Sequence, residues 1–229
     1  MSWSACAWPG APSCGDSKSF MNFAALLDMS LMAVVLLFSV IVHEVAHGYV
    51  ALLNGDPTAR LAGRLTLNPL PHIDPIGTIL LPAILLLSGS RLLFGWARPV
   101  PVNPSYFRNY RLGEVTTSFA GPASNLLLAL AFSYLLRLNL GGPGLLLLAY
   151  YGCIINIFLA LFNLIPIPPL DGSHLVAAFL PYRLLQYYRY LEPVGFVIIL
   201  LLFYTGLMGA ILMPLYRQIA RFLQVPMVF

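Results

Sequence analysis

Val40-Ile41-Val42-His43-Glu44-Val45-Ala46-His47-Gly48 lies in an apolar stretch, and residues 29–42 carry no charged side chain. His43 and His47 are four residues apart, so on a helix they share one face, about one turn from each other. That spacing lets two imidazoles hold one Zn²⁺, with Glu44 beside them as a general base toward water. Three ionisable side chains in a membrane segment are costly and read as functional. The ordinary alternative is a helix whose histidines only hydrogen-bond to neighbours.

Composition supports the membrane setting. Of 229 residues, 59% are hydrophobic and 9% charged, whereas a soluble domain has about 25% charged residues. The net charge of +4 comes mostly from scattered arginines, with no Lys/Arg run of the kind that binds nucleic acid. Cys6, Cys14 and Cys153 form no C-x-x-C pair, which removes zinc-ribbon and redox readings.

The sequence divides into a tail, 1–20, and a single membrane domain, 21–229. The tail is rich in Gly, Pro and Ser, lacks the order of a signal peptide, and is expected to be disordered or to precede the native start. The first span runs from about Phe23 to Leu53 and stops at Asn54-Gly55-Asp56-Pro57. Between Arg60 and Asn68, polar 60, 64, 66 and 68 alternate with apolar 61, 65 and 67, which predicts an amphipathic strand. That strand offers an edge on which an unwound substrate could pair; the alternative is a strand that only packs.

Residues 75–90 are apolar, short and interrupted by Pro82, as in a re-entrant or kinked segment. Arg98-Pro99-Val100-Pro101-Val102-Asn103-Pro104 must be extended. Val115–Leu136 and Gly144–Ile165 are clear spans, and Val194–Met213 is the last. The expected fold is an α-helical polytopic membrane protein, with about 4–6 transmembrane segments (one short or re-entrant) and a small membrane-associated β element.

Six arginines fall in 57–111 and two in 166–192, against one in the turn 137–143. The positive-inside rule then puts the first two regions in the cytoplasm of a multi-pass cell-membrane protein. The zinc helix and the span leading to Asp171 run parallel, with the metal elements toward the cytoplasmic side. The arginines at 217 and 221 fit a straight last span poorly.

A catalytic zinc usually has three protein ligands. The candidates for the third are His72, Asp74, Glu114, Asp171, His174 and Glu192. Glu114 and Glu192 sit at span ends beside basic residues and read as interfacial. Asp171 lies in the proline-broken Pro166-Ile167-Pro168-Pro169-Leu170-Asp171-Gly172 at the matching end of a parallel span. Irregular backbone at membrane depth is tolerated where protein or a cavity covers it, so this turn reads as a site wall. The alternative is that Asp171 caps a helix starting near Ser173.

Taken together, these segments resemble the site-2 protease family, zinc metalloproteases that cut within membranes. His43-Glu44-Val45-Ala46-His47 resembles its first signature, and Gly121-Pro122-Ala123-Ser124-Asn125 its small-residue core helix. Asn163 through Gly172 resembles its second signature. Leu67-Asn68-Pro69 with His72-Ile73-Asp74-Pro75-Ile76-Gly77, and Gly95-Trp96-Ala97 with Pro99 through Asn103, resemble the compact bacterial branch, which lacks PDZ-like and cystathionine-β-synthase-like regions. The likeness covers about Asn22–Phe179.

The resemblance implies one zinc per chain on His43, His47 and Asp171, with Glu44 as base, hydrolysing peptide bonds in a transmembrane protein substrate within the lipid bilayer. It leaves two roles open for Asn125: steadying substrate or oxyanion, or bonding helix to helix. The competing function is an inactive pseudoprotease that binds membrane helices or metal; intact Glu44 argues against it. A metal transporter would spread polar groups over several spans, and here they cluster at one end.

Overall fold

The computed structural model describes residues 14–81, 84, 88, 97–139 and 141–225. Its first helix, α1 (Cys14–Leu53), reaches back into the segment set aside as a tail. It ends where Gly55 adopts φ +111°, a conformation that a side chain would strain. A short α2 (Thr58–Leu61) follows.

Three long helical elements make the core with α1. Helix α3 (Tyr110–Leu138) starts on the Asn109 side chain, which accepts from the Leu112 N–H, and stops at left-handed Asn139. Helix α4 (Pro143–Asn163) opens with proline in its first turn, where no N–H is needed. After the Pro166–Leu170 break come α5 (Asp171–Ala177), α6 (Tyr182–Arg189), α7 (Glu192–Tyr204) and α8 (Leu207–Phe222).

Contacts give the directions. Going from Ser39 to His47, α1 meets α3 from Asn125 back to Thr117, so these two are antiparallel. The same stretch of α1 meets Asn156 first and then Asp171, so α1 and α4 are parallel. Val34, Leu36, Phe38, Leu127 and Leu130 face outward. Ser39, Asn125, Asn156 and Ser133 are buried inward. That is an inside-out arrangement suited to lipid, where polar groups must find partners within the bundle.

Leu27–Leu53, Tyr110–Leu138 and Pro143–Asn163 are each long and apolar enough to cross a membrane. The pair α7–α8 makes a fourth element, bent by 77° at Thr205-Gly206. The expected straight span over 194–213 is therefore broken, with Gly206 at φ +74° supplying the joint.

Glu192, opening α7, lines the same cavity as Glu114 in the second turn of α3. At the other end, Arg137 donates to the Leu223 carbonyl just past α8, at 3.0 Å. At 1.5 Å per residue the two arms are about 20 and 24 Å long, and bent this far they reach about 35 Å. Glu114 and Arg137 are also about 35 Å apart along α3. The pair thus runs the length of the bundle as one broken span and does not double back.

The expected strand at Arg60–Asn68 is not formed, and the described residues contain no strand. Asp56 accepts from the backbone N–H of Thr58 (2.9 Å) and from its hydroxyl, which starts a helical turn. Gly63 then reverses the chain at φ +65°. Thr66 and Asn68 bind backbone N–H groups two residues ahead, and Arg64 turns inward. The alternation came from turn-forming side chains, which satisfy backbone locally and leave no ladder to join. Substrate pairing on that strand falls with it. Most of the segment 82–96, including Gly95 and Trp96, lies outside the described residues.

Candidate metal centre

The i, i+4 spacing on α1 brings the His43 and His47 rings together edge to face, with their Nε2 atoms 3.0 Å apart. Asp171, the first residue of α5, brings Oδ2 to 3.1 Å from His43 Nε2 and 3.3 Å from His47 Nε2. Its side chain does not cap the helix. Gly172 makes the approach possible, because a Cβ there would lie 2.2 Å from the Leu164 carbonyl oxygen.

Both imidazoles are held from behind. His47 Nδ1 donates to the Thr117 carbonyl at 2.7 Å, and His43 Nδ1 to Asn125 Oδ1 at 2.6 Å. With the ring protons there, both Nε2 atoms present lone pairs. Asp171 Oδ2 is buried and receives no hydrogen bond. Two bare nitrogens and a carboxylate oxygen about 3 Å apart repel one another unless a cation sits among them. Nitrogen and carboxylate donors suit zinc, and second-shell support of this kind is usual for zinc ligands. Gly121 leaves the space: a Cβ there would come within 2.3 Å of His47 Nε2 and 2.5 Å of His43 Nε2. Among the described residues this is the one cluster of three with metal-ligating geometry.

The other candidates are engaged elsewhere. His72 is fully buried, with Nε2 2.9 Å from the Thr66 carbonyl. Asp74 accepts from the N–H groups of Ile76 and Gly77. His174 and Glu114 form an ion pair at 3.1 Å. The hydrogen bond that His174 Nδ1 donates to Glu114 Oε1 holds the imidazole pKa above its ordinary value, against the opposing effect of burial. Asn125 is fully buried: its oxygen faces His43 and its amide donates to Asn156 Oδ1 at 2.8 Å.

Glu44 points to a different partner. Its Oε2 accepts from the Val100 N–H at 2.7 Å. Val100 lies in the extended proline-rich segment, which two charged side chains clamp onto the fold. Arg64, buried, donates to the carbonyls of Pro71, Arg98 (2.6 Å) and Pro99 (3.2 Å). Asp56 Oδ2 accepts from the Asn103 N–H at 2.6 Å. Gly48 lets the segment close on α1, since a Cβ there would meet Leu65 and Val100 within 2.8 Å.

Sequence reasoning missed this clamp. It assigned Arg64 to the polar face of a strand and Glu114 to an interface. The only signal for Asn156 was that it and Asn163 are polar side chains in an apolar span.

The comparisons with known proteins agree with this chemistry. Residues 142–202 match the model described as Peptidase family M50. The chain is 41% identical over 197 residues to "Putative zinc metalloprotease YwhC" of Bacillus subtilis, covering 82% of this chain and 86% of that protein. It is 30% identical over 175 residues to Rip2 of Mycolicibacterium smegmatis, which carries the same description, covering 74% of this chain and 64% of that protein. No solved structure matches significantly. Fold and site together define a helical membrane protein of the zinc metalloendopeptidase class. The chain belongs to peptidase family M50, the site-2 protease family.

Proposed function

We propose that this metalloprotease cuts transmembrane protein substrates within or near the bilayer, using His43, His47 and Asp171 to hold one zinc and Glu44 as the base. One observation carries this: two histidine nitrogens of α1 and an Asp171 oxygen of α5 converge in the apolar bundle, and α1 also bears Glu44. Residues 21–229 act as one catalytic unit. The arginine-rich ends support a site toward the cytoplasmic side of a cell-membrane protein.

Zinc bound by these three side chains supplies Lewis-acid chemistry toward a peptide carbonyl. The residues do the rest. The Val100 N–H occupies Glu44 Oε2 and fixes the carboxylate's direction, leaving Oε1 to take a proton from the attacking water. Glu44 then returns that proton to the leaving amine. Asn125 orients His43 from behind. A helical substrate hides its own peptide bonds, so the segment to be cut must unwind before it reaches Glu44.

Glu44→Gln tests this reading. The amide is nearly isosteric but cannot accept a proton. Turnover of a transmembrane test substrate in detergent should fall by about 10²–10⁴-fold, while metal analysis shows the wild-type zinc content. Turnover within a few-fold of wild type would move the base elsewhere.

A further inference from the structure

Beside the ligand-bearing helix α1 lies a fixed acceptor, the backbone carbonyl of Gly152 on α4. Asn156 Nδ2 is 2.8 Å from that oxygen and 2.8 Å from Ser39 Oγ. A carbonyl cannot donate, so the Asn156 amide must turn its NH₂ toward Gly152 and its Oδ1 the other way. That Oδ1 lies 2.8 Å from Asn125 Nδ2. A second fixed acceptor, the Ser39 carbonyl at 3.5 Å, stands on the same side of the Asn125 amide. Asn125 is therefore obliged to present its own oxygen to His43 Nδ1, at 2.6 Å.

From this polarity we infer that Asn156 is a positioning residue for the metal centre: through Asn125 it selects the His43 tautomer with the proton on Nδ1 and a bare Nε2. The inference rests on the proposed role of His43 as a ligand. Reversing either amide sets oxygen against oxygen somewhere in the chain. Ser39, Asn125 and Asn156 are all fully buried, so no solvent repairs such a clash. Simple helix-to-helix adhesion would hold α1, α3 and α4 together with either polarity. Here two backbone carbonyls permit only one, and that one leaves Nε2 free to ligate.

The test begins without metal. In zinc-free protein labelled with ¹⁵N-histidine, held in detergent at a pH where imidazole is neutral, the nitrogen shifts report which ring atom bears the proton. Single histidine substitutions assign the signals. His43 in the wild type should be the Nδ1–H tautomer, and a wild-type Nε2–H form overturns the inference without any variant.

Asn156→Leu should give a mixture of tautomers and a zinc affinity, by chelator competition, lower by about 10- to 100-fold. The N125D substitution presents an acceptor to His43 whichever way it turns. In that background Asn156→Leu should leave Nδ1–H intact and lower zinc affinity by less than about threefold. An equal loss in both backgrounds, or a pure Nδ1–H signal in Asn156→Leu alone, reduces Asn156 to packing. The tautomer is read independently of zinc retention in His43→Ala, so this inference and the ligand assignment can fail separately.

Discussion

The metal side and the base side of this site are built from different material, although one turn of α1 carries both. His43, His47 and Asp171 are held by helices: a carbonyl of α3, an amide of α3 and the start of α5. Glu44 is held by a loop, which in turn is held by Arg64 and Asp56. The helical side depends on contacts that come with the bundle. The loop side depends on two charged residues far away in sequence. Metal retention and proton transfer should therefore be separable by mutation.

The strongest break on the metal side is Asp171→Ala. It removes one of three ligands, so zinc affinity should fall by more than roughly 100-fold, beyond what the loss of a supporting group costs. Metal analysis after chelator dialysis measures it. Full zinc occupancy in this variant would shift the third ligand to another residue.

Gly121→Ala should be next. The added methyl meets both Nε2 atoms at 2.5 Å or less, so the rings must splay and zinc affinity should drop by about tenfold or more. The three atoms nearest that methyl all belong to His43 and His47, which directs the variant at the metal side.

Arg64→Ala breaks the other side. It leaves the ligands alone and frees the 98–100 segment. Zinc content should be unchanged, while turnover falls on the order of tenfold through misplacement of Glu44. The Tm should also fall, because the buried Arg64 side chain and its hydrogen bonds to three part-buried carbonyls are lost. Loss of zinc together with activity would show that the two sides are not separable.

The smallest effect belongs to His174. Its folded-state value is raised by Glu114, with Asp171 and Glu192 adding to the pull. A raised value means stabilisation that is full below the ordinary imidazole range, near about 6.5, and lost as pH rises through the folded value. Melting temperatures across that range should show the wild type's margin over His174→Gln shrinking at higher pH. The side chain is 54% exposed, so solvent screening keeps the margin small.

What the sequence made legible follows from distance along the chain. His43 and His47 are one helical turn apart, and period alone puts them together. Topology made Asp171 a candidate without excluding a helix cap, and the resemblance to the second signature selected it. Glu44 and Val100 are 56 residues apart, and nothing about Val100 marks it as Glu44's partner, so their bond was invisible. The Arg60–Asn68 segment misled because Thr66 and Asn68 mimic a strand's alternation while serving turns. The last span was visible as apolar, but its break was not inferred from Gly206, since one glycine in an apolar run is compatible with a straight helix.

Pro99-Val100-Pro101-Val102-Asn103-Pro104 has a further consequence. Three of its six residues have no N–H. Two of the remaining three N–H groups, on Val100 and Asn103, are spent on Glu44 and Asp56. An extended stretch with so few donors is a poor template for a foreign strand. While the newly made chain is still assembling and this segment hangs loose from α1, its prolines guard it against aggregation. The composition that commits the loop to a single docked position also keeps it harmless before it docks.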